Sequence, residues 1–269
     1  MGILSSLFGG GARLHDAIRA GDLAAAIALI SRDGFDAPDS RGCTPLYWAC
    51  QQGHVEIARR LIERGANVNI RDHEGSTPLR TAVFQNHVAI VEMLLSSGAD
   101  PNLKHGDGSA PLHAAAEIGD VRVVELLLAH GADINAPDAY GEPIYAAAEK
   151  NQTPVVSLLL SKGADIHVHH TQRETLLHAL AFQGHDGLIE ILIAKGLDVN
   201  ARNSKGRIPL HYAVEEFSHH RKLSVIERLI VAGSDISAAD NSGATPLTLA
   251  RQKGFRDVAE LLTRKGARN

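Results

Sequence analysis

One short stretch, Thr44-Pro45-Leu46, returns six times along the sequence in the same or a similar form. The later copies are Thr77-Pro78-Leu79, Ala110-Pro111-Leu112, Pro143-Ile144, Leu176-Leu177, Ile208-Pro209-Leu210 and Thr245-Pro246-Leu247. The residues at the proline position stand 33, 33, 32, 33, 33 and 37 positions apart. Such a period indicates an array of similar structural units rather than one conventional globular core.

A second marker keeps the same phase as the first. It reads GANVN at 65–69, GADPN at 98–102, GADIN at 131–135, GADIH at 163–167, GLDVN at 196–200 and GSDIS at 233–237. Two markers that recur in fixed phase are strong evidence for a repeat, because chance similarity would not keep both in register.

The residues of the first repeat predict two short helices. Thr44 can cap free backbone N–H groups, and Pro45 needs no donor at the first helical position. Gly53 ends that helix, and Val55 to Leu61 supply the apolar face of a second one. Gly65 then allows the left-handed backbone that a helix end requires.

A helix pair this short cannot bury its apolar face alone, so neighbouring copies must stack on it. The two markers resemble those of the ankyrin-repeat family over Asp39 to Asn269. The resemblance implies an all-α fold, an ankyrin-repeat solenoid of stacked helix-turn-helix pairs with β-hairpin loops, in one continuous domain. Its expected parts are a flexible apolar and glycine-rich leader (1–12), an N-terminal capping helix pair (13–38) and seven repeats (39–71, 72–104, 105–137, 138–169, 170–202, 203–239 and 240–269).

Repeats four to six depart from the pattern. The fourth lacks the threonine before Pro143, and its helix-helix turn contains Pro154 after Thr153, which can still start the second helix. The fifth has Leu176 in place of the proline, so we expect looser hairpins in repeats four and five. The sixth is four residues longer, about one helical turn, which predicts longer helices or extra material opposite the hairpin tips.

Composition and charge exclude several classes of protein. Apolar residues make up 44% of the chain and charged residues 22%, as in ordinary folded domains. With 27 basic and 31 acidic residues, the chain lacks the basic surface that a nucleic-acid partner requires. The only cysteines, Cys43 and Cys50, are too few for a disulfide scaffold. No apolar run is long enough for a membrane span or export signal, so we expect a cytoplasmic protein.

The chain shows no pattern typical of an enzyme. No phosphate-binding loop, G-x-S-x-G or HExxH sequence occurs, so we predict a non-catalytic protein without a cofactor. His113, His178 and His211 stand two residues after the proline position, which is the histidine of the ankyrin TPLH motif. The resemblance implies that histidines in this TPLH position form hydrogen bonds between adjacent repeats. His167, His169 and His170, with His219 and His220 further along, could share a metal, but exposed loop histidines are usually only polar surface. No metal site is therefore predicted.

The amino terminus leaves two possibilities open. Gly2 lies in a loose match to the myristoylation pattern, and Ile3, Leu4, Leu7 and Phe8 form a short apolar segment. This leader is either a loosely attached end or a tether that brings the array to a membrane. A membrane-associated adaptor is thus the alternative to a soluble scaffold.

Ankyrin arrays bind other proteins, and the resemblance implies that function here. The expected surface consists of the hairpin tips and the concave face of the first helices, and the expected partner is an unidentified protein bound by a monomer. The candidate partner-binding residues are Arg41, Trp48, Gln52, Glu74, Phe84, Gln85, Ile118, Tyr140, Lys150, Phe182, Gln183, Lys205 and Phe217. Phe84, Phe182 and Phe217 stand at equivalent places near the end of the first helix, and they are candidate anchors because aromatic residues are enriched at binding hot spots. Packing between repeats is the alternative explanation for these rings and for Trp48.

Overall fold

The computed structural model describes residues 10–30, 35–167 and 171–268. The chain divides into two compact units, Met1–Ala139 and Tyr140–Asn269, each built from pairs of short helices. The predicted all-α fold is confirmed, since the regular elements of the described residues are helices. The continuity of the whole array as one domain stays a prediction.

The first unit consists of four helix pairs in its described part. They are α1 (Gly10–Arg19), α2 (Leu23–Ile30), α3 (Pro45–Gln52), α4 (Val55–Glu63), α5 (Pro78–Phe84), α6 (Val88–Ser96), α7 (Pro111–Ile118) and α8 (Val121–Ala129). Helices α3, α5 and α7 pack side by side as one row, and α4, α6 and α8 form the second row. The predicted N-terminal pair, α1 and α2, packs on α3 and α4. Helix α1 begins at Gly10, inside the expected leader, and residues 1–9 lie outside the described part.

The second unit continues the same scheme. Its helices are α9 (Pro143–Glu149), α10 (Thr153–Ser161), α11 (Leu176–Gln183), α12 (Ile189–Ala194), α13 (Pro209–Glu215), α14 (Phe217–His220), α15 (Leu223–Val231), α16 (Pro246–Gln252) and α17 (Arg256–Arg264). Helices α9, α11, α13 and α16 form the row of first helices, and α10, α12, α15 and α17 each pack on the first helix of their own repeat.

The core of each unit is a ladder of equivalent apolar residues. The residue after the proline position is at most 1% exposed in every repeat: Leu46, Leu79 and Leu112 in the first unit, and Ile144, Leu177, Leu210 and Leu247 in the second. The second helices contribute an equally buried row: Leu61, Leu94, Leu127, Leu159, Leu192, Leu229 and Leu262. Burying one such side chain contributes about 1.5–3 kcal/mol. Because neighbouring first helices pack on each other within each unit, as do the two helices of one repeat, stacking contributes to this burial.

The predicted threonine caps are confirmed where a Thr-Pro pair precedes the helix, whereas Thr175, which no proline follows, makes no side-chain cap bond. Thr44 Oγ1 accepts the backbone N–H of Tyr47 at 3.2 Å, and Thr77 Oγ1 accepts that of Arg80 at 3.1 Å. In both helices the proline occupies the first turn. Each cap satisfies a backbone donor that the helix itself leaves free, which explains why the helices begin at these residues.

The TPLH histidines join successive repeats, as the resemblance implied. His211 Nδ1 accepts the backbone N–H of Ile208 at 3.2 Å, and its Nε2 lies 3.1 Å from the carbonyl oxygen of Ala244 in the next repeat. His178 Nε2 makes the same contact with Arg207 O at 3.0 Å. An Nδ1 that accepts requires the proton on Nε2, which then donates to the carbonyl. One neutral ring thus caps its own helix and holds the following loop.

Asparagines of the second marker form another link between repeats. Asn69 Nδ2 donates to Gly98 O at 3.2 Å, while its Oδ1 accepts the N–H of Asp100 at 2.9 Å. Asn200 joins Gly233 and Asp235 in the same way within the second unit. The equivalent position in repeat four is a histidine, His167. An imidazole cannot present a donor and an acceptor with amide geometry, so this link is altered there.

The loops between repeats differ from the predicted β-hairpins. Among residues 10–30, 35–167 and 171–268, the only bridge position is Glu174, and the tips are turns. At one tip, Asp72 Oδ1 accepts the backbone N–H groups of Glu74 at 3.0 Å and Ser76 at 2.7 Å. Side-chain acceptors of this kind compete with a strand ladder for the same donors, so the tips close as turns.

The described residues of repeats four to six show how each departs from the regular pattern. Helix α10 begins at Thr153 with Pro154 in its first turn, as predicted, although Gln152 occupies the capping position. A short 3-10 turn, Thr171–Arg173, precedes α11. The four additional residues of repeat six do not lengthen its two helices. They form the separate one-turn helix α14, which Arg221 ends in a left-handed conformation with φ of 49°. This extra helix lies at the predicted end, opposite the tips.

Candidate functional site

The turns between repeats hold their exposed tip residues on a fixed backbone. His73 N donates to Arg41 O at 3.0 Å, and Gly106 N donates to Glu74 O at 2.9 Å. In the second unit, Asn241 N donates to Lys205 O at 3.0 Å. The side chains of Arg41, Glu74 and Lys205 are exposed, as the binding hypothesis requires. Successive tips therefore form an ordered row within each unit, since each is hydrogen-bonded to the next.

Two of the three candidate phenylalanine anchors are exposed at the ends of first helices. Phe84 is the last residue of α5 and is 59% exposed, and Phe182 near the end of α11 is 45% exposed. Of the neighbouring candidates, Gln52, Gln85 and Lys150 are also exposed, and Ile118 and Gln183 are half-buried. These two rings therefore present apolar surface to solvent on the row of first helices.

Phe217 has a different position. It is the first residue of α14, where its ring meets Phe255 with a centroid separation of 5.5 Å and an interplanar angle of 62°. Phe217 is half-buried by this edge contact. An aromatic pair of this geometry contributes about 0.5–1.5 kcal/mol beyond its area, so the ring stabilises the extra helix.

Trp48 belongs to the scaffold. Its side chain is 7% exposed, and its Nε1 donates to Asp39 Oδ2 at 3.1 Å. The guanidinium groups of Arg19 and Arg41 lie 4.3 and 4.7 Å from the ring centroid. Burial alone would raise the pKa of Asp39, but the hydrogen bonds from Arg41, Cys43 and Trp48 outweigh it and lower that pKa. So little of the indole reaches solvent that a partner could touch only its edge.

A groove on the first-helix side of the second unit brings four predicted residues together. It has a volume of about 340 Å³. The predicted residues that line it are Tyr140, Phe182, Gln183 and Lys205, and the others are Tyr145, Glu149, Gln172, Glu174, His178, Ala179 and Tyr212. Lys150 is not among the lining residues. In the first unit, the predicted residues Arg41 and Glu74 line a separate, smaller cavity of about 170 Å³, together with Cys43 and Tyr47.

The aromatic residues of the groove are held by contacts within the second unit. Tyr212 donates its hydroxyl hydrogen to Glu174 Oε1 and accepts a bond from Asn203 Nδ2 at 3.0 Å. Its ring lies 6.2 Å from that of Phe182 and 5.6 Å from that of His178. These hydrogen bonds and ring contacts fix the orientation of Tyr212 before any ligand arrives.

Tyr145 forms the buried side of the groove. It is 7% exposed, and a Cβ added at Gly141 would stand 3.2 Å from the Tyr145 Cβ, which explains the glycine there. Burial raises the pKa of Tyr145, and the nearby charges of Glu174 and Glu149 raise it further. Burial, followed by the hydrogen bond to Glu174, also raises the pKa of Tyr212. Both phenols therefore remain neutral beside negatively charged carboxylates.

The groove residues Tyr145, Glu174 and Tyr212 were not identified from the sequence, and only Tyr145 stands at a recognisable position of the repeat. Tyr145 stands two residues after Pro143, the place of the TPLH histidines His178 and His211. A tyrosine in that place cannot repeat the histidine bridge, although Tyr47 occupies the same place in repeat one, so this signal alone would not have identified the groove. Glu174 and Tyr212 gave no such signal, because 38 positions separate them and only packing brings them together.

The described residues show no arrangement typical of a catalytic or metal centre. Burial, with Asp39 and Asp72 nearby, raises the pKa of Cys43 to about 11, and burial raises that of Cys50. Neither thiol is therefore activated as a nucleophile. In the described ranges no group of three or more His, Cys, Asp or Glu side chains could hold a metal, and His169 and His170 lie outside them. Nor is any described helix long and apolar enough to cross a membrane.

Comparison with known proteins agrees with this architecture. The family described as ankyrin repeats (3 copies) matches residues 14–105, 101–170, 144–240 and 177–269. The crystal structure of the human ASB11 ankyrin repeat domain is similar at 26% identity and a TM-score of 0.75, covering 84% of this chain and 99% of that one. No curated protein sequence matches. Because the family matches extend from residue 14 to residue 269, the chain belongs to the ankyrin-repeat family.

Proposed function

We propose that this protein is a non-catalytic scaffold that binds another protein through its turn tips and the exposed side of its first helices. Ankyrin repeats are general protein-protein interaction modules, and their fold is typically non-catalytic. The observation that carries the proposal is the exposure of Phe84 and Phe182 at corresponding helix ends. A large exposed ring contributes little to folding, yet its burial by a partner stabilises a complex.

Several features support the same role. The tips Arg41, Glu74 and Lys205 place charged groups on a backbone that is already hydrogen-bonded. Less conformational freedom is then lost on binding, which favours affinity. The buried free thiols of Cys43 and Cys50 support a reducing compartment such as the cytoplasm. Exposed charged residues on α1 (Arg13, Asp16 and Arg19) and on α17 (Arg256, Asp257 and Arg264) support a monomer.

Affinity capture with matched variants tests the proposal. Immobilised wild type, Phe84→Ala, Phe182→Ala and the double variant are compared for the proteins that they retain, followed by measurement of Kd for a purified partner. Each substitution should weaken binding about five- to thirtyfold, since hot-spot rings contribute about 1–2 kcal/mol or more. Val231→Ala is the control, because Val231 is 81% exposed but lies at the end of the second helix α15.

Thermal unfolding separates binding from packing. The Phe84→Ala and Phe182→Ala proteins should melt close to the wild type, because both rings are already exposed. A loss of about 3–5 kcal/mol on either substitution would identify a core ring instead. Unchanged affinity in the double variant would contradict the proposal.

The membrane-adaptor alternative depends on Ile3, Leu4, Leu7 and Phe8, which lie outside the described residues. Flotation with liposomes, using the whole chain and a variant without residues 1–11, tests it. Co-flotation that disappears with the deletion would support the tether.

A further inference from the structure

We infer that the groove of the second unit receives the side chain of an arginine on the bound partner. This inference rests on the proposed protein-binding function and adds the chemistry of one contact to it. The groove is lined by Tyr140, Tyr145, Phe182 and Tyr212 together with the carboxylates of Glu149 and Glu174. Aromatic faces and carboxylates share one preference, which is for a positive charge.

The rings supply a surface that attracts a cation. Tyr140 and Phe182 are 65% and 45% exposed, whereas Tyr145 is buried and Tyr212 is half-buried. The Phe182 and Tyr212 rings lie 6.2 Å apart with an angle of 59° between their planes, so they are inclined rather than stacked. A cation placed over such faces is attracted by the negative charge of the ring faces.

The charged residues that line the groove also favour a positively charged ligand. Its acidic residues are Glu149 and Glu174, and its basic residue is Lys205 on the exposed rim. His178 is neutral, because its Nδ1 accepts the N–H of Thr175 at 3.1 Å and its Nε2 donates to Arg207 O. The formal charge of the lining is therefore negative, which disfavours an acidic peptide or a phosphate.

Size and hydrogen-bonding capacity select arginine among cations. About 340 Å³ lies near the lower end of ligand cavities, which span roughly 300–1,000 Å³, and suits one long side chain with its adjoining backbone. A guanidinium is planar, stacks on aromatic rings and presents five N–H donors to carboxylates. An ammonium is compact and more strongly hydrated, and a trimethylated one has no N–H to donate. Gln172 and Gln183 add amide oxygens as acceptors.

Tyrosine resonances report on the groove directly. The chain has four tyrosines, of which Tyr140, Tyr145 and Tyr212 line the groove while Tyr47 lies in the first unit. The whole protein, labelled on its tyrosine rings, is titrated with N-acetylarginine amide and followed by NMR. We expect saturable shifts of the three groove residues and not of Tyr47. The matched probe N-acetylcitrulline amide, which has nearly the same shape without the charge, should shift them at least tenfold more weakly.

Charge variants test the sign of the interaction. Glu149→Gln and the Glu149→Gln/Glu174→Gln pair should weaken arginine binding about tenfold or more, because a charge-assisted bond contributes about 1.5–3 kcal/mol. Lys205→Met should strengthen binding, since it removes the like charge from the rim without touching the Tyr212–Glu174 contact. Phe84→Ala, in the first unit, should leave the titration unchanged. Lys205→Met keeps the test decisive if the double substitution disturbs folding.

The results also separate this inference from the protein-binding proposal. Absent shifts, equal shifts with the citrulline probe, or weaker binding in Lys205→Met would overturn the arginine assignment. If a purified partner still loses affinity in Phe182→Ala while arginine fails to bind, the scaffold proposal stands and the arginine assignment falls. If arginine binds but partner affinity is unchanged by Phe84→Ala and Phe182→Ala, the groove chemistry is supported and the proposed docking surface is wrong.

Discussion

Replacing His211 by alanine should destabilise the second unit strongly. The ring is fully buried and makes two bonds, from Ile208 N–H to Nδ1 at 3.2 Å and from Nε2 to Ala244 O at 3.1 Å. Each lost hydrogen bond costs about 1 kcal/mol, and a buried partner left unsatisfied costs about 1–3 kcal/mol. Because Ala244 belongs to the next repeat, the substitution also weakens the junction. The total loss is expected to be about 3 kcal/mol.

Equilibrium unfolding in urea at pH 7.5 measures this loss, with circular dichroism as the signal. His219→Ala is the matched control, because the His219 side chain is 79% exposed beside Glu216. That control should stay within about 0.5 kcal/mol of the wild type. Equal midpoints for the His211 and His219 variants would refute the argument that the ring links repeats.

The same ring should make stability depend on pH. Burial lowers the pKa of His211; the charge of Arg207 lowers it further, and the charge of Asp240 opposes the shift. Burial also lowers the pKa of His185. The unfolded chain then binds protons more readily, so stability is complete above about pH 6.5 and is lost as pH falls through that value toward the folded pKa. Asp240, with a pKa of about 2, contributes a loss only in stronger acid. Urea unfolding between pH 7.5 and 5.5 should show a shallower slope for His211→Ala than for the wild type, and an identical slope would count against burial as the cause.

Three further predictions concern the irregular repeats. Phe217→Ala should lower the free energy of unfolding by about 1–3 kcal/mol in urea titrations, because it removes the ring contact with Phe255 that holds α14; an unchanged midpoint would mean that α14 is held by its other contacts. Arg221→Gly should raise the free energy of unfolding by about 0.5–1 kcal/mol, because Arg221 has φ of 49° and glycine adopts this conformation without steric cost. A lower urea midpoint would show that contacts of the arginine side chain outweigh this backbone effect. Hydrogen exchange should be faster in the turns of repeats four and five, where Gln172 and Arg173 also have positive φ, than in repeats two and three, and equal protection would contradict this.

Much of the fold could be predicted because the signals were local and repeated. Thr44-Pro45 and Thr77-Pro78 specify where a helix begins through a cap and a missing donor, and the structure confirms both. The residue after the proline position is buried in every copy, so one interpretation applied to seven repeats. The turns were predicted less well, because Asp72 takes backbone donors that the expected hairpin would have used.

Exposure of the aromatic residues could not be predicted from their positions. Phe84 and Phe217 were grouped by their place near the end of a first helix, yet one ring is exposed and the other packs on Phe255. The difference arises from the four additional residues of repeat six, which form α14. The exposure of Trp48 could not be predicted either, because Asp39, Arg19 and Arg41 surround it only after the first unit has folded.

The amino-acid sequence by itself determined the repeat, the helix pairs and the likeness to ankyrin proteins, since caps, helix ends and buried stripes depend on residues a few positions apart. Tertiary structure alone decided which side chains reach solvent and which share the groove. Tyr140, Glu174 and Tyr212 meet there because repeats stack at a fixed separation, and no rule of local spacing relates residues that far apart. The residues that build the helices can therefore be identified from the sequence, whereas the residues that line the groove are brought together only when the repeats stack.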